Sequence, residues 1–203
     1  MPTEEEGARR ATGARERILR ATFELIGREG IVALSNRRIA AEAGVALGSL
    51  TYHFPSQIEL LRESLGLYVE EEVARLEAIA TELRAGCPGP EQVAAEVQRL
   101  AAESAARPEQ LAELELHLHA ARDPALQEAS RRCFAAYEEV ATAALEALDV
   151  PDPARHARAI VALMTGTSVQ RQGTGHHDAA GLADALLTIV RGARQTPTRG
   201  GSQ

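Results

Sequence analysis

The sequence predicts an all-α fold, and three observations carry that reading. Almost every long stretch repeats its apolar residues at helical period, no segment sustains strand-like alternation between hairpin turns, and the proline and glycine clusters fall at the ends of the periodic stretches. Nine helices are expected in two groups, an N-terminal trio and a longer helical bundle.

The first helix is expected from about Arg10 to Arg28, with Ile18, Thr22 and Leu25 on one face, Leu19, Phe23 and Ile26 beside them, and Gly30 as its stop. A short second helix covers about Asn36 to Ala43, with Ser35 as N-cap and Gly44 as the break. The third runs from about Ala46 to Phe54 and ends at Pro55, because proline disfavours helical geometry in the residue before it. From Ser56 to about Arg84, Ile58, Leu61, Leu65, Val69, Leu76, Ile79 and Leu83 form a continuous stripe on a helix roughly 43 Å long. The run Gly86-Cys87-Pro88-Gly89-Pro90 breaks it. Further helices are expected at about 91–106, 109–121, 125–148, 154–172 and 178–194, separated by proline or glycine segments. The pattern thus divides the chain into a head at 1–55, a body at 56–195 and a tail at 196–203 that reads as disordered.

The 203 residues carry 22 basic and 29 acidic side chains, a formal net charge of −7. Hydrophobic residues make up 45%, enough for a real core, so wholesale disorder is excluded. The charge is uneven. Residues 7–55 hold eight Arg against four Glu, whereas residues 56–203 hold 14 Arg against 22 acids. A small basic head on an acidic body suggests that only the head meets an anionic partner. Cys87 and Cys133 are too few for a disulfide framework, no apolar run reaches the roughly 20 residues of a membrane span, and the acidic N-terminus does not suit a secretory signal. A cytoplasmic protein without membrane contact is expected.

The informative segment is S-N-R-R-I-A-A-E-A-G-V-A-L-G-S-L-T-Y-H-F, Ser35 to Phe54. It reads as two short helices joined by a tight turn. Ile39 and Ala40 give an apolar face, Gly44 allows left-handed backbone in the turn, and Val45 plugs the angle between the helices. Leu50 and Phe54, four residues apart, pack inward and leave Leu47, Gly48, Ser49, Thr51, Tyr52 and His53 outward or at the edges. Such small and hydrogen-bonding groups suit entry into a major groove; an αα-hairpin with no nucleic-acid role is the alternative.

With its flanks, R-x-I-L-x-A-x-x-x-L-I-x-x-x-G, then R-x-I-A-x-x-A-G-V, then G-S-L-T-Y-H-F-P-S-Q-x-E-L-L, the stretch Arg17 to Leu61 closely resembles the DNA-binding domain of the TetR family of bacterial transcriptional regulators. The rest of the chain matches that family only in layout. The resemblance implies a homodimer whose third helix reads a palindromic operator on double-stranded DNA, with a small-molecule effector in the body that releases it. No cofactor is implied. It places Tyr52 and His53 against the phosphate backbone, Gly48 and Ser49 in the base-facing part of the reading helix, and Arg37 and Arg38 at the start of the preceding helix as backbone contacts. Solvated surface charge remains the alternative for Arg38. Arg9, Arg10 and Arg15 precede or open the first helix and form either an arm toward the minor groove or an ordinary flexible terminus.

Three positions depart from the family pattern. Thr51 stands where tyrosine is usual, so a phosphate contact is shortened or replaced by a methyl contact to thymine. Gln57 stands where lysine is common, which lowers the salt slope of binding by about one unit. Ala46 replaces a Ser or Thr cap and leaves the third helix without a side-chain acceptor, at about 1 kcal/mol. With Ser35 and Leu47, these residues complete the candidate DNA-contacting set.

In the body, Leu126, Ala129, Cys133, Tyr137, Val140 and Ala144 share one stripe, and Tyr137 offers an apolar ring with one hydroxyl. Tyr137 and Cys133, with His117 and Met164, are the candidate effector residues, or else members of the core. Ala159, Ala162 and Gly166 give a small-residue face which, with Leu182, Ala185, Leu186, Ile189 and Ala193, suits a four-helix dimer interface. A metal is not expected: His117 and His119 point some 200° apart around a helix, the pairs Glu113/His117 and Glu115/His119 read as surface pairs, and His176-His177-Asp178 reads as a solvated cap. No nucleophile elbow, phosphate-binding glycine loop, H-E-x-x-H or paired-cysteine motif is present, which argues against an enzyme. A DNA-binding adaptor without a ligand is the remaining alternative. Outside the head the aromatic residues are Tyr68, Phe134 and Tyr137, so an aromatic cage for flat cations is not expected, and an aliphatic or small polar effector is favoured.

Overall fold

A computed structural model describes residues 4–86, 92, 99, 109–176 and 179–195. They form eight α-helices and one 3₁₀ turn, and the described residues contain no strand. The helices are α1 (Glu4–Glu29), α2 (Asn36–Glu42), α3 (Leu47–His53), α4 (Gln57–Gly86), α5 (Glu109–Ala120), α6 (Pro124–Ala147), α7 (Pro153–Thr174) and α8 (Ala179–Gln195), with the turn at Ile31–Ala33. The all-α expectation holds. The helix predicted at 91–106 lies outside the described residues except for Gln92 and Arg99, both helical, and the tail at 196–203 lies outside them entirely. By packing, the chain divides into one unit of residues 1–71 with 107–131 and another of 72–106 with 132–203, a different partition from the sequence-pattern boundary at 55/56.

In the first unit, Ile18, Leu19, Ala21 and Leu25 of α1 pack with Ile39 and Ala40 of α2, Ala43, Leu50 of α3, Phe54 and Leu60. Leu34, Val45 and Leu67 close the edges of this core. The inclusion of Leu60 and Leu67 explains why the head does not end at Pro55: the first turns of α4 supply part of its hydrophobic floor. The expected α4 stripe needs one correction. Ile58 is half exposed and Leu60 is buried, because the inward rows at the start of α4 run through Leu60, Leu61, Ser64 and Leu65, and position 58 lies some 200° around the helix from 60. The buried hydroxyls of Thr22 and Ser64 each donate to the carbonyl four residues back, Ile18 and Leu60, both at 2.7 Å. Neither is left without a partner, which in an apolar core would cost about 1–3 kcal/mol. The rings of Phe23 and Tyr68 stack with centroids 4.4 Å apart.

In the second unit, Ile79, Ala80 and Leu83 of α4 pack on Ala143 and Ala144 of α6. A second cluster joins Leu145, Val150, Ala157 of α7 and Ala193 of α8. Arg84 ties the α4 end to Glu139 at 2.7 Å and Glu146 at 3.0 Å. Pro153 opens α7, where its missing N–H removes no helical bond, and Gly175 closes it at φ +67°.

Candidate nucleic-acid interface and effector residues

The helix-turn-helix is built as its residue types require. The Ser35 hydroxyl accepts the Arg38 N–H at 3.4 Å and caps α2. Gly44 then takes φ +63°, and the Val45 N–H returns to the Ala40 carbonyl at 3.0 Å, which turns the chain into α3. Ala46 occupies the α3 N-cap with no side-chain acceptor, as expected. Leu50 and Phe54 are 1% and 2% exposed, so that face of α3 is fixed to the core.

The opposite face is open. Leu47, Gly48 and Thr51 are exposed, Tyr52 is 84% exposed, and Ser49 and His53 are half-buried at the edges. A Cβ at Gly48 would meet nothing within 4 Å, which leaves its backbone approachable. The Thr51 hydroxyl donates to the carbonyls of Gly48 at 3.1 Å and Leu47 at 3.3 Å. The hydroxyl proton is thus engaged within its own helix, and the exposed side chain keeps its methyl and the acceptor lone pairs of its oxygen. The Tyr52 and His53 rings meet edge to face at 5.4 Å. Gln57 donates to the Leu34 carbonyl at 3.5 Å, so it braces the loop before α2.

The arginines divide sharply. Arg38 pairs with Glu29, and Arg28 pairs with Glu42 at 2.9 Å, which holds the Glu42 carboxyl below its ordinary range. Arg20 is held by Glu71 and Glu16, and these contacts, Glu71 foremost, raise its pKa. Arg17 donates to the Ala43 carbonyl at 3.3 Å. Among the described residues of the head, Arg37 is exposed with no such partner. The expected start of the first helix at about Arg10 is corrected here: α1 starts at Glu4, so Arg9, Arg10 and Arg15 all lie on helical backbone. The sequence explains the early start, since the glutamates at 4–6 put negative charge in the first turn, which suits the positive end of the helix dipole. Arg15 in addition contacts Glu63 and lies 5.3 Å from the centre of the Phe54 ring, so it braces the head instead of reaching away from it.

Of the candidate effector residues, His117 belongs to the first unit, and Cys133, Tyr137 and Met164 belong to the second. His117 Nδ1 lies 2.7 Å from the Ser130 hydroxyl and its Nε2 lies 3.6 Å from Glu113, whose other oxygen accepts the Tyr68 hydroxyl at 3.0 Å. The Glu113/His117 pair is therefore part-buried within a polar chain; the surface reading is corrected. Glu115 likewise does not pair with His119: its carboxylate accepts the Ile31 N–H at 2.7 Å. In the second unit Cys133 is fully buried and Met164 half-buried. The Tyr137 hydroxyl donates to Glu72 Oε1 at 3.0 Å, and Arg75 grips both oxygens of the same carboxylate at 2.7 and 3.0 Å. Glu72 is 2% exposed. Sequence reasoning missed it, although the signal was present: a glutamate stands in the inward row Leu65, Val69, Glu72, Leu76, Ile79, Leu83. His177 and Asp178 lie outside the described residues.

On α7, Ala157 and Val161 face the core while Ala159, Ala162 and Gly166 are exposed, as is Val169. On α8, Leu182, Leu186 and Ile189 are half-buried and Leu187 is exposed. No helix among the described residues is long and apolar enough to cross a membrane.

Comparison with known proteins agrees with this architecture. The model of the bacterial regulatory proteins of the tetR family matches residues 18–63, and that of the tetracyclin repressor-like C-terminal domain matches residues 88–194, more than half of the chain. The HTH-type transcriptional regulator PksA of Bacillus subtilis is 39% identical over 66 residues, 32% of each chain. The repressor KstR of Mycolicibacterium smegmatis is 38% identical over 74 residues, 36% of this chain and 35% of KstR. The chain thus spans about a third of the length of the curated relatives it matches. Among solved structures, a TetR-family member from Streptomyces coelicolor A3 is 31% identical with TM-score 0.67, covering 87% of this chain and 98% of that one. The multidrug binding protein EbrR complexed with ethidium has the same identity and coverage, with TM-score 0.66. With the helix-turn-helix in place and both halves matched, the chain belongs to the TetR family of bacterial transcriptional regulators.

Proposed function

We propose that the protein is a cytoplasmic repressor that binds a palindromic operator as a homodimer through α3 and leaves DNA when a small molecule occupies the body. The observation that carries the reading is the open face of α3: Gly48, Ser49, Thr51, Tyr52 and His53 presented on a helix that Leu50 and Phe54 lock to the core. Arg37 supplies the accessible cation for phosphate. The exposed small-residue face of α7, with Leu182, Leu186 and Ile189 of α8, supports the homodimer, because a face this apolar is covered by a second copy more readily than by water.

For the effector, the Tyr137–Glu72 pair offers the polar groups, and Cys133 and Met164 are the apolar candidates of the same unit. Arg75 already neutralises Glu72, and few aromatics stand in the body, which supports an aliphatic or small polar molecule. EbrR was solved with ethidium, so flat cations form the competing class. The test is selection of duplexes from a random pool by the purified protein, followed by release with both ligand classes. An enriched palindrome released by one class supports the reading; uniform DNA binding insensitive to both contradicts it.

A further inference from the structure

The turn Ile31–Ala33 sets how the helix-turn-helix leaves α1, yet it has little anchorage of its own. It buries none of its residues, its N-cap Gly30 sits at φ +80° with no side-chain cap bond, and Val32 is fully exposed. Within the chain segment, its bonds are local: Gly30 N–H to Ile26, Ala33 N–H to Gly30 and Leu34 N–H to Ile31. The Ile31 N–H goes instead to Glu115 of α5, 84 residues away, at 2.7 Å. The other oxygen of Glu115 lies 3.0 Å from where a Cβ on Gly30 would stand, so the glycine opens the space that the carboxylate fills.

We infer that Glu115 is a positioning residue for DNA reading: its carboxylate clamps the Gly30–Ile31 peptide and thereby fixes the angle of α2 and α3 on α1. The clamp joins the segment matched by the C-terminal-domain model to the segment matched by the DNA-binding model, inside a single compact unit. α5, which already packs along α1, thus adds through Glu115 a hydrogen bond to the backbone that leads from α1 into the reading head. A change that draws α5 back by a single residue's rise, about 1.5 Å, breaks that bond. The inference rests on the DNA-binding reading, so its test has one arm that needs no DNA.

Glu115→Gln keeps an acceptor of the same shape, whereas Glu115→Ala removes it. Hydrogen exchange at the Ile31 amide is expected to accelerate at least tenfold in Glu115→Ala and to stay near wild type in Glu115→Gln, following the loss of a bond in which about 1.4 kcal/mol is tenfold. Wild-type exchange in Glu115→Ala overturns the clamp whether or not an operator is known. On a duplex selected by the wild-type protein, Glu115→Ala is expected to bind roughly tenfold more weakly, with Glu115→Gln restoring most of the affinity. If both variants instead bind DNA more tightly, Glu115 acts only as a repelling charge. If both lose thermal stability equally and DNA affinity follows it, the role is structural. Either result overturns the positioning role.

Discussion

The guanidinium of Arg38 rests against the carboxylate of Glu29, so one of the two adjacent arginines at the start of α2 closes onto α1 while its neighbour Arg37 remains exposed. Two of the four excess positive charges of residues 7–55 are likewise met within the protein, Arg15 by Glu63 and Arg20 by Glu71 of α4. Arg37→Ala is expected to reduce the slope of log affinity against log salt by about one per protomer, with unfolding unchanged. Arg38→Ala is expected to cost at most about 1 kcal/mol of stability, as for exposed ion pairs, and to leave the slope close to wild type. Equal loss of slope in both would show that Arg38 leaves Glu29 for phosphate.

The two glycines of the motif have opposite requirements. Gly44 sits at φ +63° with open space around it, so Gly44→Ala pays only for left-handed backbone, about 1–2 kcal/mol in denaturant titration. Gly48 is ordinary helix, also with open space, so Gly48→Ala is expected to stabilise the protein by about 0.5 kcal/mol while weakening DNA binding. A Gly48→Ala protein with unchanged DNA affinity would remove the close backbone approach.

Asp123 is held below the ordinary aspartate range, first by Arg62 at 2.7 Å and then by the Ala125 N–H at the start of α6. A depressed carboxyl contributes stability that is present above its unfolded value, about 3.9, and is lost as pH falls through the folded value. Asp123→Asn is expected to melt below wild type at neutral pH, with the gap closing as pH drops below about 4. A gap independent of pH would mean that the Asp123 charge contributes nothing to the fold.

Tyr137→Phe removes the donor to Glu72 and keeps the ring. The expected result is an altered dose of effector needed for release, with binding of the ligand-free protein to DNA unchanged. An unaltered dose would return Tyr137 to a purely structural role.

The local geometry of the motif was legible because it rests on residue types with few alternatives. Ser35 caps, Gly44 takes positive φ, and Leu50 and Phe54 turn inward at one helical turn's spacing. What sequence spacing cannot carry is the partner of a long side chain. Arg15 and Arg20 enter the sequence only as basic charge of the head, and their partners Glu63 and Glu71 stand 48 and 51 residues away. Glu115 read as a surface residue for the same reason, since its acceptor role depends on a backbone N–H that no pattern marks. The earlier start of α1 rests on a weaker signal, the three glutamates at positions 4–6.

Tyr52 tests the central claim most directly, because it is 84% exposed on the open face of α3 and its loss leaves the core untouched. Equilibrium titration of a duplex selected by the wild-type protein, at fixed salt, is expected to show Tyr52→Ala bound about tenfold more weakly, a loss near 1.4 kcal/mol, with the same unfolding midpoint. Unchanged affinity in a fully folded Tyr52→Ala protein would contradict the assignment of α3 as the reading helix.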